Sequence, residues 1–304
     1  MSYPKPLAGK SLQRLYQTAG IDEVQSEFLH QFFGAAANLY GAVSLRDLWE
    51  AYKTYSVSVD APALKRKDFI AFSEIARREA EVPYYVFEID ELYDDVKRAD
   101  LSREIVYKPI IGIGYGRLSQ YYHLLEVQDN FNDSYYLPYN FLEYANEIVT
   151  PQETKLLWYL SNLKVTAETY TNRFGKELSC GPKDKCLSEF SFIGYEEQFE
   201  LDYASGKVKG GPKYNEKKVA CLMEEFSGTM AQKLVRKFKW DVSMGWLFIG
   251  VRTENIYDSL GEVGVELTEQ QRAKLEELLD DLEENIHLKC RRGWSVNDLQ
   301  INSL

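Results

Sequence analysis

Cysteine is scarce in this chain of 304 residues: Cys180, Cys186, Cys221 and Cys290 are all there is. Four thiols spread so widely do not make the disulfide framework of a small secreted domain, and reduced thiols are expected. Histidine is scarcer still, with only His30, His123 and His287. That leaves no histidine cluster for a metal and no Ser/His/Asp signature for nucleophilic chemistry. No window approaches the ~18 uninterrupted apolar residues of a membrane span. The opening MSYPKPLAGKSLQRLY also lacks the apolar stretch of a signal peptide. The expectation is a soluble cytoplasmic protein with no membrane contact, no cofactor, no metal and no catalytic set.

What the chain does have is apolar and aromatic material, 45% and 14% of its residues, enough for a substantial core. Its length suggests about two domains. Acidic residues outnumber basic ones by 47 to 36, a net charge of −11. Binding to nucleic acid or an anionic membrane would therefore need a local basic patch. Tyrosine is frequent, at 22 residues with pairs at 84–85, 121–122 and 135–136. That composition suits packing in cores and strands and also protein interfaces.

The chain is organised around residues 25–112, after an N-terminal arm over 1–24. Phe28, Phe32, Ala35, Ala36 and Leu39 mark one face of a helix starting near Ser26, its expected N-cap, with Gly41 as its end. Ser44 caps the next helix, whose stripe is Leu45, Leu48, Trp49 and Tyr52. A third helix buries Phe69, Phe72, Ile75 and Ala76. PYYVFEID and SREIVYKPII then read as two strands around a charged turn. Three helices followed by a strand pair is the order of a winged-helix unit. The expected fold is mainly α with small β elements (α+β), a winged-helix-like N-terminal module followed by a C-terminal helical domain.

In a DNA-binding unit of this kind the third helix and the wing would carry the contacts. The candidates are Lys65, Lys67, Arg77 and Arg78 on the helix, with Lys97, Arg98 and Arg103 on the wing. Arg77 and Arg66 fall on a flank of the helix, and Glu74 sits between the basic residues. No Asn or Gln is present to read a base edge. From Ser26 to Gly112 there are 11 basic and 15 acidic residues, a poor balance for phosphate contacts.

Beyond the module, Gly112, Gly114 and Gly116 lie where a phosphate loop would, but the spacing is G-x-G-x-G and no Lys-Ser/Thr pair follows. A turn or strand bulge is expected. His123 and Glu126 share a helix face without further ligands nearby. Residues 113–178 read as a helical region, with a short helix from Phe141 to Val149 stopping near Pro151. Leu156, Leu157, Leu160, Leu163 and Ala167 form a stripe after it. Residues 179–218 read as an irregular hairpin-like insertion with a basic tip of Lys207, Lys209 and Lys213. The Cys180–Cys186 spacing of C-x5-C does not fit a zinc knuckle.

Residues 219–304 form the C-terminal helical region. A helix from Val219 to Trp240 places Lys233, Arg236, Lys237 and Lys239 toward its C-terminal end, as a small positive patch or as the complement of the helix dipole. GWLFIGV reads as a short buried strand or turn. Thr268 and Gln271 make a capping box for a helix whose inward residues are Leu275, Leu278, Leu279, Leu282 and Ile286. From Glu266 to Ile286 there are 8 acidic and 2 basic residues. Such a run is a solvated face, a docking surface for a basic partner, or an imitation of nucleic-acid phosphate.

The run LEELLDDLEENIHLKCRRGWSVNDLQ resembles uncharacterised bacterial proteins of the SEC-C-associated kind. Asn285, Arg292, Gly293, Trp294, Ser295, Asn297, Asp298 and Leu299 carry the likeness, and AAANLYGAVSLRDLWEAY resembles the front of such proteins. Val296 stands where that pattern has Pro, and no zinc knuckle follows, so zinc binding is not implied. The likeness implies a fold and no activity. Gly293 reads as a turn and Ser295 as an N-cap. Taken together, the residues point to a non-enzymatic interaction or regulatory protein that docks a protein partner or a second copy of itself. The alternatives are a winged-helix DNA-binding regulator, or a phage- or defence-related protein with a DNA-mimicking acidic surface.

Overall fold

The computed structural model describes residues 3–94, 96–97, 99–111, 118–171, 175, 177–191, 195–208, 219, 223, 227–245 and 252–302. It is mainly helical with little strand, and the chain divides into two compact units. One comprises Met1–Gly112, Arg117–Ile148 and His287–Trp294, and the other is built chiefly from Val149–Ile286 and Ser295–Leu304. Among the described residues no helix is long and apolar enough to cross a membrane.

The first unit runs α1 (Gly9–Ala19), α2 (Glu23–Tyr40), β1 (Ala42–Ser44), α3 (Leu45–Ser58), α4 (Arg66–Ala76), β2 (Tyr84–Phe87), α5 (Ile89–Leu92), β3 (Glu104–Tyr107) and α6 (Ser119–Asp129). The N-cap of α2 is Asp22, not Ser26. Its carboxylate accepts from Gln25 N at 2.8 Å, and the Gln25 side chain accepts from Asp22 N at 3.2 Å. This reciprocal box satisfies two donors at once, which Ser26, already one turn inside, cannot do. Asp22→Ala should cost about 1 kcal/mol, read as a lower urea midpoint at unchanged slope.

Ser44 caps α3 as expected, accepting from Asp47 N. Phe32, Ala35, Ala36 and Leu39 are buried on α2, with Leu45, Leu48 and Tyr52 on α3 and Phe69, Phe72, Ile75 and Ala76 on α4. Phe28 and Trp49 pack against that core half-buried. Rings of Phe32, Phe33, Phe69, Phe72 and Tyr84 meet at centroid separations of 4.9 to 6.2 Å, the spacing of tilted and edge-on aromatic pairs.

A short strand unforeseen in the sequence, β1, completes an antiparallel sheet of order β1-β3-β2. Gly41 allows it: with φ +76 it turns the chain out of α2, and a Cβ there would meet Leu124 at 2.7 Å. Because side chains alternate along β3, the sheet has two faces. Ile105, opposite Val43 and Val86, joins the helical core. Glu104 and Val106 point to the other face with Ser44, Ala42, Tyr85 and Phe87. Tyr3 covers part of that face, its ring 4.9 Å from Tyr85 and 5.3 Å from Phe87.

Residues 287–294 belong to this unit although they come almost last in the chain. Gln128 Nε2 donates to Tyr40 O and to Lys289 O, and Trp294 Nε1 donates to Ser134 O. His287 Nδ1 lies 2.9 Å from Gly293 O, so it carries the proton, and Nε2 accepts from the Tyr144 hydroxyl at 2.7 Å. Gly293 has φ +87, and a Cβ would press Leu39 at 2.9 Å.

The second unit packs α7 (Pro151–Ser161) against the helices Met230–Ser243 and Glu269–Asn285. Leu156, Leu160, Leu234, Phe238, Leu275, Leu279 and Leu282 are buried there. Several expectations change. The helix at Phe141 is a short 3-10 turn ending at Ala145, and Pro151 opens a helix instead of closing one. Its missing N–H is harmless at that first position, under a Thr150 cap. Leu163 is buried beyond the end of α7, so it does not extend that helix's stripe.

The hairpin lies earlier than expected, pairing β4 (Thr169–Thr171) with β5 (Glu177–Ser179), and the supposed irregular stretch holds the helix Tyr195–Ala204. The basic helix starts at Met230 under a Thr229/Gln232 capping box and runs on to Ser243. Its basic residues therefore fall outside the last turn, and the dipole argument does not apply. Lys237 pairs with Asp241 and Lys239 with Glu153. The Thr268/Gln271 box and the buried Leu275–Ile286 stripe are as expected. Ser295 O–H donates to Asp298, whose N donates back to Ser295 Oγ, at the start of the helix Val296–Asn302.

Candidate functional site

The surface the sequence singles out, α4 with the turn between β2 and β3, is built around carboxylates. Arg77 lies at the C-terminal end of α4 and is buried, not displayed on a flank. Its Nη1 donates to Glu88 at 2.9 Å and its Nη2 to Glu91 at 2.6 Å. Arg103, one residue before β3, alternates with Glu104 and so points back toward α4. There its Nε donates to Glu88 at 2.8 Å and Nη2 to Glu74 at 2.8 Å. Its Nη1 donates to Ser73 Oγ and to Ile70 O. Arg78 is half-buried and pairs with Glu74 at 2.9 Å.

Glu88 and Glu91 are held for this by a local device. Glu91 accepts from Glu88 N at 2.8 Å in the capping box of α5. The Arg77 guanidinium also lies 5.8 Å from the Tyr3 ring centre. Its Nε is buried without a hydrogen-bond acceptor, so the network leaves one donor unmet. Of the residues proposed for phosphate contact, Arg77 and Arg103 are thus turned inward and Arg78 is engaged. Lys65, Lys67 and Lys97 are exposed, as is Arg66. Arg98 lies outside the described residues, as do Gly112, Gly114, Gly116, Lys209, Lys213, Cys221 and residues 246–251.

Glu104, which the sequence reading passed over, sits on the opposite face of β3. Burial, with Asp47 adding repulsion, pushes its carboxyl up to about 8. Tyr121 and Tyr93 lie close enough to sense its charge, and their hydroxyls meet at 3.0 Å. No hydrogen bond or ion pair to its carboxyl is found among the described residues.

His30 and His287 have packing roles. His30 sits between the hydroxyls of Tyr16 at 3.1 Å and Tyr84 at 3.2 Å, and burial lowers its pKa while Glu79 opposes that. His123 lies on α6 one turn before Glu126. Cys180 and Cys186 are free thiols in separate settings. Cys180 contacts Gly261 O, and Cys186 bridges to Lys164. Among the described residues no group of three His, Cys, Asp or Glu side chains is placed to hold a metal ion. No family model matches the chain, and no curated protein or solved structure matches it either.

Proposed function

We propose that the first unit is a winged-helix-like module working in the cytoplasm as a protein-docking scaffold. The order α2-β1-α3-α4-β2-α5-β3, with β3 central in the sheet and only the single turn of α5 between the paired strands, supports the winged-helix reading. One observation carries the choice of partner: Arg77 and Arg103 are neutralised inside the module by Glu74, Glu88 and Glu91. A DNA reader of this kind would keep such residues free for phosphates and base edges. The acidic outer face of the helix Glu269–Asn285, with Glu269, Glu276, Glu277, Asp280 and Glu284 exposed, supports a basic protein partner for the whole chain. The likeness to SEC-C-associated proteins is compatible with this reading, since its residues supply a turn at Gly293 and a cap at Ser295.

The test is twofold. Fluorescence anisotropy with a labelled DNA duplex should show no binding that weakens steeply with salt. Affinity capture by the full chain should retain a protein that survives nuclease and is lost when Glu276, Glu277 and Asp280 are all changed to Lys. Tight, salt-dependent DNA binding abolished by a Lys65→Glu/Lys67→Glu double variant would overturn the docking reading in favour of DNA.

A further inference from the structure

We propose that a cleft in the second unit binds a small zwitterion carrying both a carboxylate and an ammonium, the charge pattern of a free amino acid. The cleft is half open to solvent and offers about 530 Å3 between the hairpin strand Thr169–Thr171, the helix Arg252–Glu262 and the start of the helix Glu269–Asn285. That lies in the range of small-molecule sites, roughly 300–1,000 Å3. It is independent of the arginine network, and it shares with the docking surface only Glu276, which holds a wall residue of the cleft.

Its walls are aromatic and held in place. The Tyr170 hydroxyl donates to Asp258 Oδ1 at 2.7 Å, and the Tyr257 hydroxyl donates to Glu276 at 2.7 Å. Its floor is glycine by necessity. A Cβ at Gly261 would strike the Tyr170 ring at 2.6 Å, and one at Gly264 would strike Ala167 O at 2.6 Å.

Its charges are of both signs, and none forms an ion pair among the described residues. The Arg272 guanidinium lies 4.9 Å from the Tyr257 ring centre, and no carboxylate lies within ion-pair reach of it among the described residues. With no described partner on its edge donors, the guanidinium can take a carboxylate, which it matches bidentately. Asp258 is anchored through Oδ1, and no other hydrogen bond to its carboxylate is found among the described residues. Glu266 also lines the cleft, and no hydrogen bond to its carboxylate is found among the described residues. A simple anion would meet repulsion from Asp258 and Glu266, and a simple cation would leave Arg272 without a partner. A ligand with both charges satisfies all three.

Ligand-observed NMR on the full chain, with the twenty free amino acids as probes, should find at least one that binds. Calorimetry on that amino acid should then show binding at least ten-fold weaker for its N-acetyl derivative, which lacks the ammonium, and for its amide, which lacks the carboxylate. Arg272→Gln should weaken the parent at least ten-fold and erase its advantage over the amide. Asp258→Asn still accepts from Tyr170 and should erase the advantage over the N-acetyl derivative. If Asp258→Asn fails to fold, Arg272→Gln, on an exposed side chain, decides alone. No binding by any probe at about 10 mM, or binding unchanged in Arg272→Gln, would overturn the proposal.

Discussion

Glu88→Ala is expected to destabilise the first unit by about 3–5 kcal/mol, the cost of removing one partner from a buried ion pair. The side chains of Glu88, Arg77 and Arg103 are only 6%, 8% and 13% exposed. Glu88 is the acceptor that both guanidiniums share, so its loss strips a hydrogen bond from each. Glu91 and Glu74 remain to hold one arm of each arginine, which keeps the cost from doubling. Glu88→Gln retains an acceptor of the same shape but not the charge, and should cost less than the alanine variant. Hydrogen exchange of the β3 amides reads the unit directly. A loss below about 1 kcal/mol would place the network with weak surface pairs. That result would also remove the reason for holding Arg77 and Arg103 unavailable to phosphate.

Glu104→Gln is expected to do the opposite and stabilise the unit at neutral pH. The wild-type carboxyl titrates near 8 in the folded chain, against an ordinary value of 4.5. Between those values the folded state binds a proton that the unfolded state has released. Stability is therefore highest below the ordinary value, falls as pH rises through the window, and levels off above about 8. At pH 7 the displaced equilibrium amounts to about 3 kcal/mol at most, at 1.36 kcal/mol per pH unit. Glutamine keeps the size of the side chain and never ionises, so the variant should gain up to that amount at pH 7. It should also lose one proton's worth of slope between pH 5 and 8. The groups that sense Glu104 or act on it are Asp47 at the start of α3, Tyr93, Tyr121 on α6, and Tyr135. Denaturation curves at several pH values would settle it, and parallel pH profiles for variant and wild type would sink the idea.

The features legible in the sequence share a short range. Ser44, Thr268 and Ser295 cap their helices because each needs only a backbone N–H three residues on. The stripes of α2, α3 and α4 follow from 3.6-residue periodicity, and the β2–β3 pair from apolar runs around a turn. The D-x-x-Q spacing of Asp22 is as local as the others, but Ser26 offers a competing cap four residues on. The strand β1 has three residues, too few to show an alternation. The helix Tyr195–Ala204 was hidden by Gly and Lys on its C-terminal side, which read as loop. The cleft was invisible for another reason: Tyr170, Asp258 and Arg272 lie on three elements separated by long stretches of chain.

The sequence by itself determined the helical character of the chain, the caps at Ser44, Thr268 and Ser295, the core faces of α2 to α4 and the acidity of its last long helix. Those depend on contacts within one or two turns. The tertiary structure alone decided the direction of the charged side chains. Arg77 and Lys67 sit on the same helix with the same charge, and nothing local distinguishes them. Arg77 meets Glu88 and Glu91 because α5 folds back over the end of α4, whereas Lys67, in the first turn, meets water. A guanidinium committed to a buried carboxylate cannot also serve a phosphate, so what these residues can do depends on packing.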